Sequence, residues 1–321
     1  MVGPATSTRD REPPGHSPAV TVAAPAKVNL QLSVGPLHSD GFHPLATVFQ
    51  AVALYDEVTV SPARPGAGVS LTVTGQSCQD VPVGPENLAW RAAVLLADTA
   101  GVSADVHIAV RKGIPVAGGM AGGSADAAAS LLACARLWGL PSTRSDLTPL
   151  AAQLGSDVPF ILMGGTAVGT GRGDRLTAAL VSGAYHWVFA LAHVGLSTPS
   201  VYGQFDALAT AAAGPPRVSG DLMSALRRGD ATAVGRNLSN DLQSAAISLR
   251  PGLRSLLELG EDAGALGSLV SGSGPTVAML VADKDAAMSL TVLLSSSGLC
   301  SAVRYAMGPV AGAHVVRRER G

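Results

Sequence analysis

Residues 115–131 read PVAGGMAGGSADAAASL, and this stretch decides how the rest of the chain is read. Four glycines fall within Gly118–Gly123, and an alanine-rich segment follows that reads as a helix from Ser124 to about Trp138, closed by Gly139 and Pro141. Backbone without side chains lets N–H groups approach a ligand closely. A helix that starts there adds free donors and the positive end of its dipole. Together these make an anion site whose usual occupant is phosphate. Ser124 stands at the expected N-cap, with its hydroxyl available to the helix backbone, to a phosphate or to a magnesium ion. No lysine follows Gly123, which excludes a Walker A loop. No glycines here keep the GxGxxG spacing, which excludes the dinucleotide fingerprint and the protein-kinase loop.

The 321 residues are 47% apolar and 14% charged, a balance that buries a core and excludes a disordered chain. Net charge is −1 and the basic residues form no block beyond a short C-terminal run, so capture of nucleic acid or an anionic membrane surface is not expected. Cys78, Cys134 and Cys300 lie far apart with no CxxC pair, which points to neither a zinc site nor a disulfide framework and suits a cytoplasmic protein. Residues 1–18 read as a disordered tail and 317–321 as another. The long uncharged stretches at 176–205 and 263–282 are broken by Gly, Ser, Pro or His and read as core strands, not membrane spans.

Val28, Leu30, Leu32 and Val34 alternate with polar residues, as in a half-buried strand. Further strands are expected at 48–60, 69–73 and 106–110, with a helix at 87–97 and another at 147–154. A Trp187–Val194 strand opens the second half, followed by helices at 222–228, 253–259 and 284–294 and strands at 276–281 and 302–307. Strands and helices mix without strict alternation, which predicts an α+β fold. A boundary near residue 182 divides the chain into 19–182 and 183–316.

The segment Pro115-x-x-Gly118-Gly119-Met120-Ala121-Gly122-Gly123-Ser124 resembles the phosphate motif of the GHMP kinase superfamily. Five more segments, in the family's order, are similar to its cytidylyl-methylerythritol kinase branch. Pro25-Ala26-Lys27-Val28-Asn29-Leu30 resembles the N-terminal signature; Lys27 and Asn29, two apart, project from one strand face along with Gln31, and Pro25 is read as setting the strand entry. Gly41-Phe42-His43-Pro44-Leu45 resembles the cytidine-pocket segment, with Phe42 where a tyrosine is common. Gly155-Ser156-Asp157-Val158-Pro159 resembles the segment carrying the catalytic base, although by position alone Asp157 is equally a helix cap. Ser197-Thr198-Pro199-Ser200-Val201-Tyr202 resembles a segment closing the substrate pocket, or an ordinary helix start with Thr198 as cap. Ser271-Gly272-Ser273-Gly274-Pro275 resembles the third glycine motif, or a β-turn.

The resemblance implies a two-domain GHMP kinase fold, with an N-terminal domain like ribosomal protein S5 domain 2 and a ferredoxin-like C-terminal domain. It implies an ATP- and Mg2+-dependent kinase, monomer or homodimer, phosphorylating the 2-hydroxyl of a cytidylyl-methylerythritol in isoprenoid precursor synthesis. Lys27 and Asp157 are then catalytic. Pro115, Gly118, Gly119, Gly122, Gly123 and Ser124 hold the triphosphate, with Ser124 also a magnesium ligand, and Asn87 and Lys112 lie near adenine. Asn29, Phe42, His43, Thr198 and Tyr202 bind the substrate, and Gly272, Ser273 and Gly274 form the third motif. Asn87 equally caps a helix and Lys112 equally is a solvated strand-end residue. Two positions depart from the family pattern: Ala125 stands where a serine is common, and Asp126 adds a negative charge opposing a triphosphate unless it points away. Another GHMP small-molecule kinase, or a catalytically dead nucleotide-binding protein on the same fold, are the alternatives.

Overall fold

The structure, a computed structural model, describes residues 19–75, 78–79, 81–116, 118–208 and 214–316; the two expected tails lie outside these. The first half runs β1 (Val20–Val34), β2 (Leu45–Pro62), β3 (Val69–Gly75), α1 (Leu88–Ala100), β4 (Val106–Lys112), α2 (Gly122–Leu137), α3 (Arg144–Leu154), α4 (Val158–Met163), β5 (Thr166–Gly171) and β6 (Arg175–Ala178). The second runs β7 (Tyr185–Leu191), α5 (Thr198–Leu208), α6 (Gly220–Arg228), α7 (Ala231–Arg236), β8 (Ser239–Asn240), α8 (Gln243–Leu249), α9 (Gly252–Asp262), β9 (Gly267–Val270), β10 (Val277–Val281), α10 (Lys284–Ser296), β11 (Ala302–Gly308) and β12 (His314–Val315).

One sheet has the order β12-β1-β2-β4-β3, with β5 and β6 continuing from one end of β2. The long β2 makes this possible. Leu45–Gln50 pair with β5, whereas Glu57–Pro62 pair with β4. The second sheet is antiparallel, in the order β11-β7-β10-β9. It begins at β7, just after residue 182, but the chain does not stay there. His314 and Val315 return to pair with Ala23 and Val22 of β1, so the last strand belongs to the first sheet.

Alternation along β7 and β10 shows how the halves join. Trp187, Phe189, Ala278 and Leu280 pack into the core beneath the first sheet, while Val188, Ala190, Val277 and Met279 pack among α8, α9 and α10. Both faces are buried, so neither strand needs a polar side, and both read as apolar runs. The Trp187 indole donates to Gln50 Oε1 of the first sheet at 2.9 Å.

Several expectations change. β1 begins at Val20, so Pro25 does not set its entry but sits inside it, at a register shift between Pro25 and Ala26. Proline lacks an N–H, and a bulge is where a strand tolerates that loss. β1 is not half-buried either: Lys27, Asn29 and Gln31 are as covered as the valines opposite. The second half roofs the polar face, and the Gln31 side chain donates to Arg217 O and accepts from Ser219 N. The first strand of the second half ends at Leu191, three residues short of Val194. The helix of the glycine motif starts two residues before Ser124, at Gly122, and its N-cap is Ala121 in the left-handed conformation (φ 64°). Ser124 is therefore inside the first turn and caps nothing.

Candidate active site

The glycine loop leaves β4 and is tied down on two sides. The Lys27 N–H of β1 donates to Met120 O at 3.2 Å, and the Ser271 side chain donates to Gly119 O at 3.4 Å. Gly119 has φ +70°, and a Cβ there would lie 2.5 Å from Ser271 O, so only glycine allows the two glycine-rich turns to touch. Gly272 is left-handed too (φ +58°), and a Cβ there would lie 3.2 Å from Lys27 Nζ. The third glycine motif is thus a turn packed directly over the Lys27 ammonium.

Three hollows follow one another across this region. The first is lined by Asn87, Lys112, Pro115, Gly118, Gly119, Ala121, Gly122, Gly123 and Asp126. The second is lined by Lys27, Asn29, Thr47, Gly119, Ala121, Ser156, Asp157, Arg172, Thr198, Tyr202, Gly272 and Ser273. The third is lined by His38, Asp40, Phe42, His43, Gly171, Arg172, Asp174 and Arg175. Gly119 and Ala121 belong to the first two, and Arg172 to the last two. Ser124 and Gly274 line none of them.

In the middle hollow, Lys27 Nζ donates to Asn29 Oδ1 at 2.6 Å and lies 3.9 Å from Asp157 Oδ2. Asn29 Nδ2 donates to Thr47 Oγ1, which donates to Gln31 O, so a chain of hydrogen bonds fixes the ammonium. Burial pulls the Lys27 pKa below the ordinary lysine value, and the Asp157 charge partly restores it. Asp157 is the residue before α4, with Pro159 in its first turn, yet its side chain makes no capping bond. The capping role is vacant and the carboxylate, 29% exposed, faces the hollow. Thr198 is the first residue of α5; its hydroxyl pairs with Ser273 Oγ at 2.9 Å, bridging that helix to the third glycine motif. Tyr202, one turn on, has its phenol pushed up to about 12 by burial and by the Asp157 charge.

His43 is nearly buried. Its Nδ1 meets Gly35 O at 2.8 Å, its Nε2 lies 3.4 Å from Asp206 Oδ1, and its ring packs on Tyr202 with centroids 5.3 Å apart. A proton on Nδ1 satisfies the carbonyl, and Nε2 faces the Asp206 carboxylate. Phe42 is about half exposed, with the Arg172 guanidinium 3.5 Å from its ring centroid.

In the first hollow, Asn87 caps α1. Its Oδ1 accepts from Ala89 N and its Nδ2 donates to Pro82 O, so both ends of the amide are engaged within the protein. Lys112 is not a solvated strand end. Its ammonium is buried, 2.5 Å from Asp56 Oδ2 and 2.6 Å from Asp126 Oδ2. Asp126 does point away from solvent, inward against Lys112, but its Oδ1 is buried without a partner. Burial, reinforced by the neighbouring Asp56 charge, raises the Asp126 pKa well above the usual carboxylate range despite Lys112. Ala125 is fully buried in the core, so a serine hydroxyl there would not reach the loop's open side. Sequence reasoning missed Asp56, Thr47 and Arg172. Asp56 lies mid-strand and Arg172 in a surface hairpin, and neither has a local signal.

These features bear comparison with known proteins. The GHMP kinases N terminal domain family matches residues 87–165, and the GHMP kinases C terminal family matches 222–290. The 4-diphosphocytidyl-2-C-methyl-D-erythritol kinase of Rhodococcus jostii is 55% identical, over 92% of this chain and 95% of its own. The chain belongs to the 4-diphosphocytidyl-2-C-methyl-D-erythritol kinase family of GHMP kinases. The Streptomyces avermitilis member is 54% identical, over 93% of this chain and 100% of its own. A crystal structure of a 4-(cytidine 5'-diphospho)-2C-methyl-D-erythritol kinase superposes with a TM-score of 0.73 at 34% identity, covering 89% of this chain and 98% of that one. A homoserine kinase from Cytophaga hutchinsonii also gives 0.73, but at 21% identity, which speaks for the fold alone. No helix among the described residues is long and apolar enough to cross a membrane.

Proposed function

We propose that the chain transfers the γ-phosphoryl group of ATP to the 2-hydroxyl of 4-diphosphocytidyl-2-C-methyl-D-erythritol, in isoprenoid precursor synthesis. The observation that carries this reading is the pair of a buried Lys27 and an Asp157 open to the hollow, set between a glycine loop on one side and an aromatic hollow on the other. Phosphoryl transfer needs alignment and charge stabilisation more than covalent help. The loop's N–H groups and the first turn of α2 receive the triphosphate.

Asp157 accepts the proton of the attacking hydroxyl, and its freedom from capping duty supports that role. Lys27, 3.9 Å from that carboxylate, stabilises charge on the group in flight. Asn29 orients Lys27. His43, tethered through Nδ1 to Gly35 O, presents its ring to the base, Phe42 and Tyr202 give apolar surface, and Thr198 with Ser273 closes the rim. Magnesium bound to the nucleotide would offset phosphate charge. Ser124 lies in the first turn of α2 beside the loop, and its hydroxyl would be the protein group offered to that ion, since nucleotide-bound magnesium keeps few protein ligands. The free cysteines suit a cytoplasmic enzyme.

The test is ADP release with the cytidylyl substrate and with homoserine, mevalonate and galactose, in wild type and Asp157→Asn. The cytidylyl substrate alone should respond strongly. Asp157→Asn should lower kcat by about 10²–10⁴-fold while ATP affinity is retained. Near-normal kcat in the variant would remove Asp157 as the base, and a stronger response to another alcohol would reassign the substrate.

A further inference from the structure

Arg172 stands where the middle and outer hollows meet. It sits in the tight turn between β5 and β6, with its backbone N–H on Asp174 Oδ1. Its guanidinium lies over the Phe42 ring and lines both the middle hollow, with Lys27 and Asp157, and the outer one, with Phe42 and His43. Among the described residues, no other cation lines both: Lys27 is confined to the middle hollow and Arg175 to the outer.

The substrate proposed above has a base at one end and the reacting alcohol at the other. With the base against Phe42 and His43 and the alcohol against Asp157, the connecting diphosphate must cross the junction where Arg172 stands. Its one ion pair among the described residues is weak. The Asp40 carboxylate is 3.5 Å from the guanidinium and both groups are more than half exposed, so water and salt screen the contact. A planar guanidinium offers five donors in a fork suited to phosphate oxygens, and one long contact leaves most of them available.

We propose that Arg172 binds the diphosphate that links the two ends of the substrate, a specificity role that rests on the cytidylyl-substrate reading. While stacked on one face of Phe42, it leaves the opposite face to the base, so one side chain positions both parts. Arg172 then selects nucleoside diphosphate esters over alcohols that lack the diphosphate.

The experiment measures binding of cytidine, CMP and CDP by calorimetry to wild type, Arg172→Ala and Arg172→Lys, alongside steady-state kinetics with the cytidylyl substrate. Wild type should bind CDP at least about tenfold tighter than cytidine, as charge-assisted contacts to phosphate would give. Arg172→Ala should lose most of that preference while cytidine binding changes by no more than about twofold. KM for the substrate should rise about tenfold or more with ATP affinity unchanged, and Arg172→Lys should keep part of the preference. If cytidine and CDP weaken equally in Arg172→Ala, the residue only props Phe42 and the proposal fails. If neither weakens, it fails as well. Wild type that binds neither cytidine nor CDP would instead overturn the substrate reading itself, which separates the two failures.

Discussion

Replacing Asp126 by asparagine tests the physics beneath the glycine loop. In the native fold a single ammonium, Lys112, serves two buried carboxylates. Asp56 is the better satisfied of the two, since its Oδ1 also accepts from the backbone N–H groups of Gly113 and Ile114. Asp126 has only Lys112 on one oxygen and nothing on the other. When both are ionised, the cluster holds one uncompensated negative charge. Two carboxylates held by the same nitrogen repel by about 3 kcal/mol at an effective dielectric constant of about 20.

The amide of Asp126→Asn still accepts from Lys112 and removes that repulsion together with the burial penalty. That penalty outweighs the pull of Lys112 that is lost with it. An amide N–H left unpartnered on the other side costs about 1 kcal/mol in return. The variant should therefore be about 2 kcal/mol more stable than wild type at pH 8. The sign of the pH dependence follows from the raised native pKa. Between the ordinary carboxylate range and that raised value, the native state of wild type keeps a proton that the unfolded chain has released. Wild-type stability is therefore highest below the ordinary range and falls as pH climbs through the native pKa. The variant lacks this loss, so the gap should be small near pH 4 and widen by up to about 1.4 kcal/mol per pH unit before levelling off. Urea unfolding from pH 4.5 to 8.5 measures it. A gap that stays constant with pH, or a variant less stable than wild type at pH 8, would refute the reasoning.

Two further substitutions probe the loop and the pair. Lys27→Met removes an ammonium whose burial already lowers its pKa; kcat should fall by more than about 100-fold, while the midpoint of urea unfolding should stay near the wild-type value. A large loss of stability would mean that Lys27 serves the fold more than the reaction. Gly119→Ala puts a methyl against Ser271 O at a left-handed backbone position, at a conformational cost of about 1–2 kcal/mol before any clash. The two glycine turns should separate and ATP affinity should drop by about tenfold or more. Titration with a fluorescent ATP analogue reads this out, and unchanged affinity would show that contact between the turns is not what shapes the loop.

What the sequence determined by itself were features carried by neighbouring residues. The glycine run followed by small helix formers dictates an anion site, because backbone freedom and a helix N-terminus are both local. Alternation in β1 places Lys27 and Asn29 on one face, and their hydrogen bond agrees. The position of the α2 N-cap was not legible. Gly122 and Gly123 read as loop because glycine disfavours helix, yet they form the first turn next to Gly119 and Met120, which are tied to the Ser271 turn and to β1.

Only the tertiary structure decided which charges meet. Lys112 pairs with Asp56, 56 positions away in sequence, and Asp126 finds its cation only because α2 packs on β2 and β4. The polar face of β1 reads as solvated in isolation and is buried because the second half of the chain folds over it. Arg172, an unremarkable turn residue in sequence, becomes the bridge between two hollows because β2 is long enough to pair with β5 at one end and β4 at the other. Local composition fixes what a segment can bind. Long-range packing fixes which charges surround it, since electrostatic energy depends on distance through space and not along the chain.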